Sequence, residues 1–432
     1  MRTIYWNTAD ETDRLRVITR PAAATAADVT RGVAAIIADI AARSEEATND
    51  WSQRLDGAPL TELRLTAEAL EEARARTTVE DRKALAMAVA NIRRFHEADR
   101  PADSQAIETS TGLINRRVWR PLDSVGLYVP GGTAPLFSTL LMLAIPARVA
   151  GVRDLVVVTP PSSEGPHPMM MLAAEACSLD RLWLVGGAQA IAALALGAGL
   201  PRVDKIFGPG NAWVAEAKRQ VTELPGGPAV DLPAGPSELL VIADDTASPR
   251  VVAADLLAQA EHDADAQVIL VTPSPALAEA VTAEVESQLS NLPRAEVARR
   301  SLASAAVVIC RDLEQAAEVS NLYCPEHLSI QTAEPAAVTA QIRHAGAIFE
   351  GARAAETLGD YLSGPSHVLP TNGAARAFSG VTTGAFMKSL SVQTVRPEGM
   401  AAACTAAARL ARLEGLEAHA RAAEARVEVF GA

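Results

Sequence analysis

Apolar residues along this chain follow two rhythms, and the change from one to the other lays out the architecture. From Ala26 to about Arg43, Val29, Val33, Ile36, Ile37 and Ile40 recur at helical spacing. Leu85, Val89, Ile92 and Phe95 carry the same rhythm through residues 66–96. The first 24 residues are mixed and polar and read as an arm more than a core element. Residues 107–120 alternate around Ser110–Gly112 and predict a short hairpin. At Ser124 the rhythm shifts to short apolar runs, each closed by a glycine or proline turn and followed by a helical stretch. The predicted strands are 125–129, 155–158, 182–185 and 205–207, then 239–243, 268–272, 306–310, 328–331 and 347–349.

Strand, turn and helix in repetition imply right-handed crossovers and mostly parallel sheets with helices on both faces. The expectation is an α/β fold of two Rossmann-like units, an N-terminal arm and a C-terminal segment that is helical beyond about Val395. The expected boundaries are an arm at 1–24 and a main α/β domain at 25–122 and 239–376. A second α/β unit at 123–238 is inserted in it, and the last segment is 377–432. The phrases L-V-V-V-T-P-P-S (155–162) and V-I-L-V-T-P-S-P (268–275) are alike, as two related halves would be.

The length of 432 residues leaves room for two or three domains. A net charge of −13 argues against nucleic acid or an anionic membrane as the main partner. The four cysteines form no C-x-x-C pair, which fits a reducing compartment and excludes a thiolate zinc motif. The uncharged runs Ser124–Ala147 and Trp183–Pro201 are interrupted by glycine or proline and read as strand, turn and helix, not as membrane spans. A cytoplasmic protein is expected.

Candidate chemistry is confined to a few stretches. Gln259 and His262 are three apart in an apolar helical run, so an amide oxygen and an imidazole nitrogen share one face and can hold a divalent metal such as zinc. A Q-x-x-H pair by itself is more often a surface hydrogen-bonding pair, so its weight comes from the other stretches. Glu326 and His327 adjoin at a strand entrance, where a carboxylate can activate water and an imidazole can take a hydroxyl proton. Residues 359–367 read as a loop carrying Asp360 and His367, and Glu414 and His419 lie five apart in a helical run that, read by itself, is better explained as a solvated helix face. Gln259, His262, Asp360 and His419 together would make a nitrogen–oxygen site without sulfur, which suits Zn2+ and admits Mn2+ or Co2+. His96, His167 and His344 read as incidental.

Three glycine turns follow predicted strands, at Pro130–Gly132, Gly186–Gly187 and Gly208–Gly210. Such turns let backbone amides approach a phosphate, and Tyr128, Gln189 and Asn211 beside them could bond a ribose or an amide. The G-x-G-x-x-G fingerprint is absent, so a nicotinamide site and ordinary tight turns stand about even. Asp231–Glu238 reads as a rigid loop with Ser237 and Glu238 at its tip, either a plain connection or the border of a cleft.

Taken together, these stretches resemble the histidinol dehydrogenase family. The likeness runs in order through V-G-L-Y-V-P-G-G-T-A-P-L (125–136), V-G-G-A-Q-A-I-A-A-L-A (185–195), V-D-K-I-F-G-P-G-N (203–211) and A-G-P-S-E (234–238). It continues through Q-A-E-H (259–262), P-E-H-L (325–328), G-D-Y (359–361), H-V-L-P-T (367–371) and E-G-L-E-A-H (414–419). The resemblance implies two successive NAD-dependent oxidations, of L-histidinol via L-histidinal to L-histidine, the last step of histidine biosynthesis. It implies Gln259, His262, Asp360 and His419 as ligands of one zinc that anchors the substrate, and Glu326 and His327 as the acid–base pair. It further implies Ser237 and Glu414, with His327 and the metal ligands, as substrate contacts, and Tyr128, Gln189 and Asn211 as the NAD site within 123–238. A homodimer is implied, with the C-terminal segment completing the partner's site. No role is assigned to His367.

The chain departs from the family pattern at Cys324 and at Pro365-Ser366, which puts the pocket beside Asp360 in question. A thiohemiacetal on Cys324 is disfavoured because the Glu326/His327 water route already accounts for aldehyde oxidation. Three rival readings stand beside this one, of which a non-catalytic scaffold, needing no assembled acid–base and metal groups, is the least favoured. A same-fold enzyme for another small alcohol would not need every presumed metal ligand, and a metal-dependent hydrolase with Glu326 as base would not need the glycine turns.

Overall fold

The computed structural model describes residues 1–20, 26–131, 136–233 and 235–431. Its strands, in chain order, begin with β1 (Arg2–Tyr5), β2 (Thr61–Arg64), β3 (Ile107–Ser110), β4 (Leu113–Pro121) and β5 (Ser124–Tyr128). Next come β6 (Asp154–Thr159), β7 (Arg181–Leu184), β8 (Lys205–Phe207), β9 (Ala229–Val230) and β10 (Glu238–Ala243). The last are β11 (Gln267–Thr272), β12 (Ala306–Ile309), β13 (His327–Gln331), β14 (Ala347–Glu350) and β15 (Met387–Val395).

The chain divides into two compact units, Met1–Asp99 with Asp123–Thr383, and Arg100–Leu122 with Gly384–Ala432. The first unit holds two six-stranded sheets, ordered β1-β12-β11-β10-β13-β14 and β2-β7-β6-β5-β8-β9. Among the described pairings of these sheets, every one is parallel except β2 with β7. Omitting the edge strands β1 and β2, both sheets run third-second-first-fourth-fifth in chain order. That is the doubly wound arrangement, and its order reverses between β5 and β8 in one sheet and between β10 and β13 in the other. The central strands are buried on both faces; Leu239–Ala243 and Val268–Val271 are fully sequestered, which explains their unbroken apolar runs.

The N-terminal residues depart from the expected arm. β1 pairs in parallel with β12, and Ile4, Trp6 and Val17 enter the core of that sheet. The strand signal was hidden because an edge strand buries one face only, leaving three of its four residues exposed. Helices Ala26–Arg43 and Glu45–Leu55 pack on Gly187–Leu196 and, for the first, on Ala212–Thr222, and β2 extends the sheet of β5–β9. Residues 26–64 thus pack with the segment expected as an insert. The single helical stretch predicted over 66–96 is two helices, Ala67–Ala75 and Val79–Ala98. The second starts at a Thr78–Asp81 capping box.

The second unit is described by itself. Its antiparallel sheet is ordered β15-β4-β3, so the expected hairpin has acquired a third strand, β15, that the sequence pattern did not signal. Helices Pro397–Leu413 and Glu417–Phe430 follow as an antiparallel pair turned at Gly415, whose φ of +78° suits glycine. Among the described residues no helix is long and apolar enough to cross a membrane.

Candidate active site

Glu326 and His327 stand at the amino end of β13, beside the amino end of β10. Both are buried, and both are held by the backbone of one residue. Glu238 N donates to Glu326 Oε2 at 2.9 Å, and Glu238 O lies 3.2 Å from His327 Nδ1. A carbonyl oxygen only accepts, so Nδ1 carries the hydrogen and Nε2 keeps its lone pair. His327 Nε2 has no hydrogen-bond partner among the described residues and lies 3.9 Å from Asp360 Oδ1. The ring stacks on Phe349 with centroids 5.9 Å apart. Burial, with the nearby His262 and His367, lowers its pKa to about 3, so the imidazole is neutral across the physiological range.

Glu238 is itself fixed. Its carboxylate is gripped by Arg20 Nε at 2.9 Å and Nη2 at 2.7 Å, and it accepts from Asn372 N at 2.7 Å. Arg20 lies 3.8 Å over the Tyr323 ring, and the Tyr323 hydroxyl donates to Gln267 Oε1 at 2.8 Å. A bidentate buried pair of this kind is rigid as well as charge-balanced. The N-terminal segment therefore supports the acid–base pair.

Carboxylates dominate the surroundings. Glu356 Oε1 is 3.6 Å from His327 Nδ1, as is Glu326 Oε2. Burial raises Glu326 and Glu356 well above the ordinary range, reinforced for each by neighbouring carboxylates. Burial also lifts Asp360 to about 6. Residues 356–361 form a short helix where a loop was expected, so Glu356 and Asp360 are one turn apart on one face. Glu356 was missed by the sequence reading; its i,i+4 relation to Asp360 is the signal that could have found it.

His327, Glu356 and Asp360 bring three metal-competent atoms within 4.8 Å of one another. Gln259 is fully buried, and neither atom of its amide has a partner among the described residues. Such an orphaned amide is costly unless something ligates it. The helix Pro249–Ala260 ends before His262, which sits on the following turn with its N–H on Gln259 O at 3.2 Å. The two residues therefore share a helix end, not a helix face. His262 is close enough to His327 and His367 for its charge to lower both pKa values. His262 and Asp360 thus lie near His327, and with the unpartnered Gln259 amide the nitrogen and oxygen donor types present fit a zinc ion.

Glu414 and His419 belong to the second unit. They lie on either side of the turn between its helices, both exposed, where one helical run was expected. His367 is satisfied on both ring nitrogens, by Asp360 O at 2.8 Å and Thr139 Oγ1 at 3.2 Å, so it ties a loop to the helix Phe137–Ala150. Ser237 precedes β10, and its carbonyl accepts from Gln267 N at 3.0 Å. Cys324 is buried in a left-handed conformation, φ +55°, with Sγ 3.0 Å from Asn321 O, and burial raises its thiol pKa. None of this makes a nucleophile. Ser366 is buried and engaged with Val368 N and Met142 O.

The glycine turns lie at the carboxyl ends of β5, β7 and β8, and β5 and β8 flank the reversal point of their sheet. Gly132 and Ala234 lie outside the described residues. The Tyr128 hydroxyl accepts from Gly187 N at 3.2 Å. Gln189 Nε2 donates to Asp56 Oδ2 at 3.0 Å, and Asn211 caps the helix Ala212–Thr222 through Trp213 N and Val214 N. Gly208 is pinned by Asp231 and Lys218, a buried ion pair. Gln189 Oε1 is buried without a partner among the described residues, and two helix amino ends face this edge. These features fit a phosphate-bearing nucleotide.

Comparison with known proteins decides the family. The sequence matches the histidinol dehydrogenase family over residues 19–427. The chain belongs to the histidinol dehydrogenases. A histidinol dehydrogenase of Vibrio vulnificus is 44% identical over 433 residues, covering 100% of both chains. One from Xanthomonas oryzae is 45% identical over 99% of this chain and all of its own. The crystal structure of the histidinol dehydrogenase from Elizabethkingia anophelis superposes with a TM-score of 0.94 at 38% identity, covering 100% of this chain and 99% of that one. Membership makes the chain an oxidoreductase of alcohol and aldehyde and supports a place in histidine biosynthesis.

Proposed function

We propose that this chain oxidises L-histidinol through L-histidinal to L-histidine, with NAD and one zinc ion per subunit. The observation that carries the mechanism is the clamp of Glu238 on Glu326 and His327, which leaves His327 Nε2 as a bare base. Gln259, His262, Asp360 and His419 would hold the zinc, which when bound anchors the substrate's imidazole and amino nitrogens. Tyr128, Gln189 and Asn211 would hold NAD in the unit formed around residues 123–238, and NAD supplies the hydride acceptor for both oxidations. Ser237 and Glu414 complete the substrate contacts.

His327 Nε2 takes the hydroxyl proton as the alcohol is oxidised. Glu326, with Oε2 engaged by Glu238 N, then removes a proton from the water that adds to the aldehyde. Its raised pKa makes the ionised form a stronger base. His327 repeats its part on the hydrate, giving the carboxylate. Aldehyde oxidation requires that hydrate, so two adjacent bases suit two half-reactions better than one would.

The active form is a homodimer whose C-terminal segment reaches the partner's site. Exposed Leu410, Leu413, Val429 and Phe430 on the terminal helices, with Leu416 in the turn between them, support an interface there. Four free cysteines suit a cytoplasmic setting.

The test is the number of NADH formed per L-histidinol consumed, before and after chelation. Two per substrate, abolished by chelation and restored by zinc, is the expected result. No NADH from histidinol with zinc present would mean another alcohol is the substrate, and turnover without NAD would favour the hydrolase.

A further inference from the structure

Two polar groups from different elements flank Gly187. Tyr128 ends β5, and its hydroxyl oxygen accepts from Gly187 N, while its phenolic hydrogen has no acceptor among the described residues. Gln189 lies in the first turn of the helix Gly187–Leu196 and is fully buried. A Cβ at Gly187 would lie 2.6 Å from Gln189 Oε1, which places that oxygen against the same glycine.

The orientation of the Gln189 amide is set from outside its own helix. Asp56 follows the helix Glu45–Leu55, and its Oδ2 accepts from both Gly186 N at 2.8 Å and Gln189 Nε2 at 3.0 Å. An oxygen accepting twice forces the amide nitrogen towards it and the amide oxygen away. Gln189 Oε1 is then left buried with no partner among the described residues. A buried acceptor in that condition calls for a donor.

We propose that Asp56 is a positioning residue that turns Gln189 so that its Oε1 acceptor and the Tyr128 hydroxyl donor are presented together. An adjacent acceptor and donor are complementary to a primary carboxamide. They are equally complementary to the amino-and-ring-nitrogen edge of adenine, and a nicotinamide dinucleotide carries both. This assignment rests on the NAD reading above and specifies what that site recognises. Asp56 belongs to a segment that carries none of the family-like phrases, and only the packing of residues 26–64 on this sheet brings it to the glycine turn.

The test is calorimetric binding to the full-length chain of NAD+, of its 3-acetylpyridine analogue, which lacks the carboxamide N–H, and of its hypoxanthine analogue, which lacks the adenine amino group. NAD+ should bind about tenfold more tightly than one of the two analogues, the loss expected for one hydrogen bond, and which analogue suffers identifies the end that is read. Asp56→Ala and Gln189→Met should bind NAD+ as weakly as that analogue and no longer distinguish the two. Asp56→Asn keeps an acceptor for Gln189 Nε2 and should retain the discrimination. Equal binding of all three ligands by the unaltered chain would overturn the proposal, as would discrimination that survives in either Asp56→Ala or Gln189→Met. Failure of the unaltered chain to bind NAD+ at all would overturn the dinucleotide reading itself.

Discussion

Glu238 O lies 3.2 Å from His327 Nδ1, and that contact decides which imidazole nitrogen can act as a base. The carbonyl fixes the hydrogen on Nδ1 and turns Nε2 towards Asp360. The amide of the same residue fixes Glu326. Two catalytic candidates are thus oriented by one peptide segment at the start of β10, and its side chain is tethered to Arg20 across 218 positions of sequence.

Glu326→Gln keeps an acceptor for Glu238 N but cannot take a proton from water. Alcohol oxidation should survive and conversion of aldehyde to acid should stall, with L-histidinal as the accumulating species. Single-turnover product analysis checks this. Equal loss of both half-reactions would remove Glu326 from water activation.

Arg20→Met leaves Glu238 buried without its cation. A loss of about 3–5 kcal/mol in urea unfolding is expected from breaking a buried pair. A variant as stable as the unaltered chain would show that Asn372 N alone suffices.

If the C-terminal segment completes the partner's site, two variants that each form no L-histidine should complement each other in L-histidine formation. Glu326→Ala mixed with His419→Ala, unfolded and refolded together, yields hybrid dimers with one intact site. Random assortment predicts ~25% of normal turnover. No recovery despite demonstrated subunit exchange would place His419 and Glu326 of one chain in the same site.

His96 is buried, with Nδ1 3.2 Å from Thr383 Oγ1, and desolvation holds its pKa at about 4. The unfolded value is about 6.5. The unfolded chain therefore binds the extra proton first, and stability present above pH 6.5 is lost as pH falls towards 4. Relative to His96→Gln, the unaltered chain should lose about 2 kcal/mol more between pH 7.5 and pH 5. Parallel unfolding curves for the two at both pH values would refute the assignment.

Cys324→Ala should turn over at close to the normal rate, because its thiol is buried and engaged with Asn321 O. A fall of several orders of magnitude would revive the covalent route.

Much of this protein is legible in its sequence. The predicted strands at 125–129, 239–243 and 268–272 coincide with β5, β10 and β11 because doubly covered parallel strands are apolar throughout, a signal that survives without context. Glu326 and His327 stood out because two ionisable groups at a strand entrance are rarely idle. The edge strands β1, β2 and β15 were illegible for the opposite reason, since each leaves much of its surface exposed.

The sequence by itself determined the α/β class, the doubly wound grammar and the residue types able to do acid–base and metal chemistry, because periodicity and side-chain chemistry are local properties. Only the tertiary structure decided that Glu238 orients both Glu326 and His327, that Glu356 stands beside them, and that Asp56 aims Gln189. Those relations depend on which strand ends adjoin and on which polar atoms burial leaves without water. Neither is written in the spacing of residues along a chain.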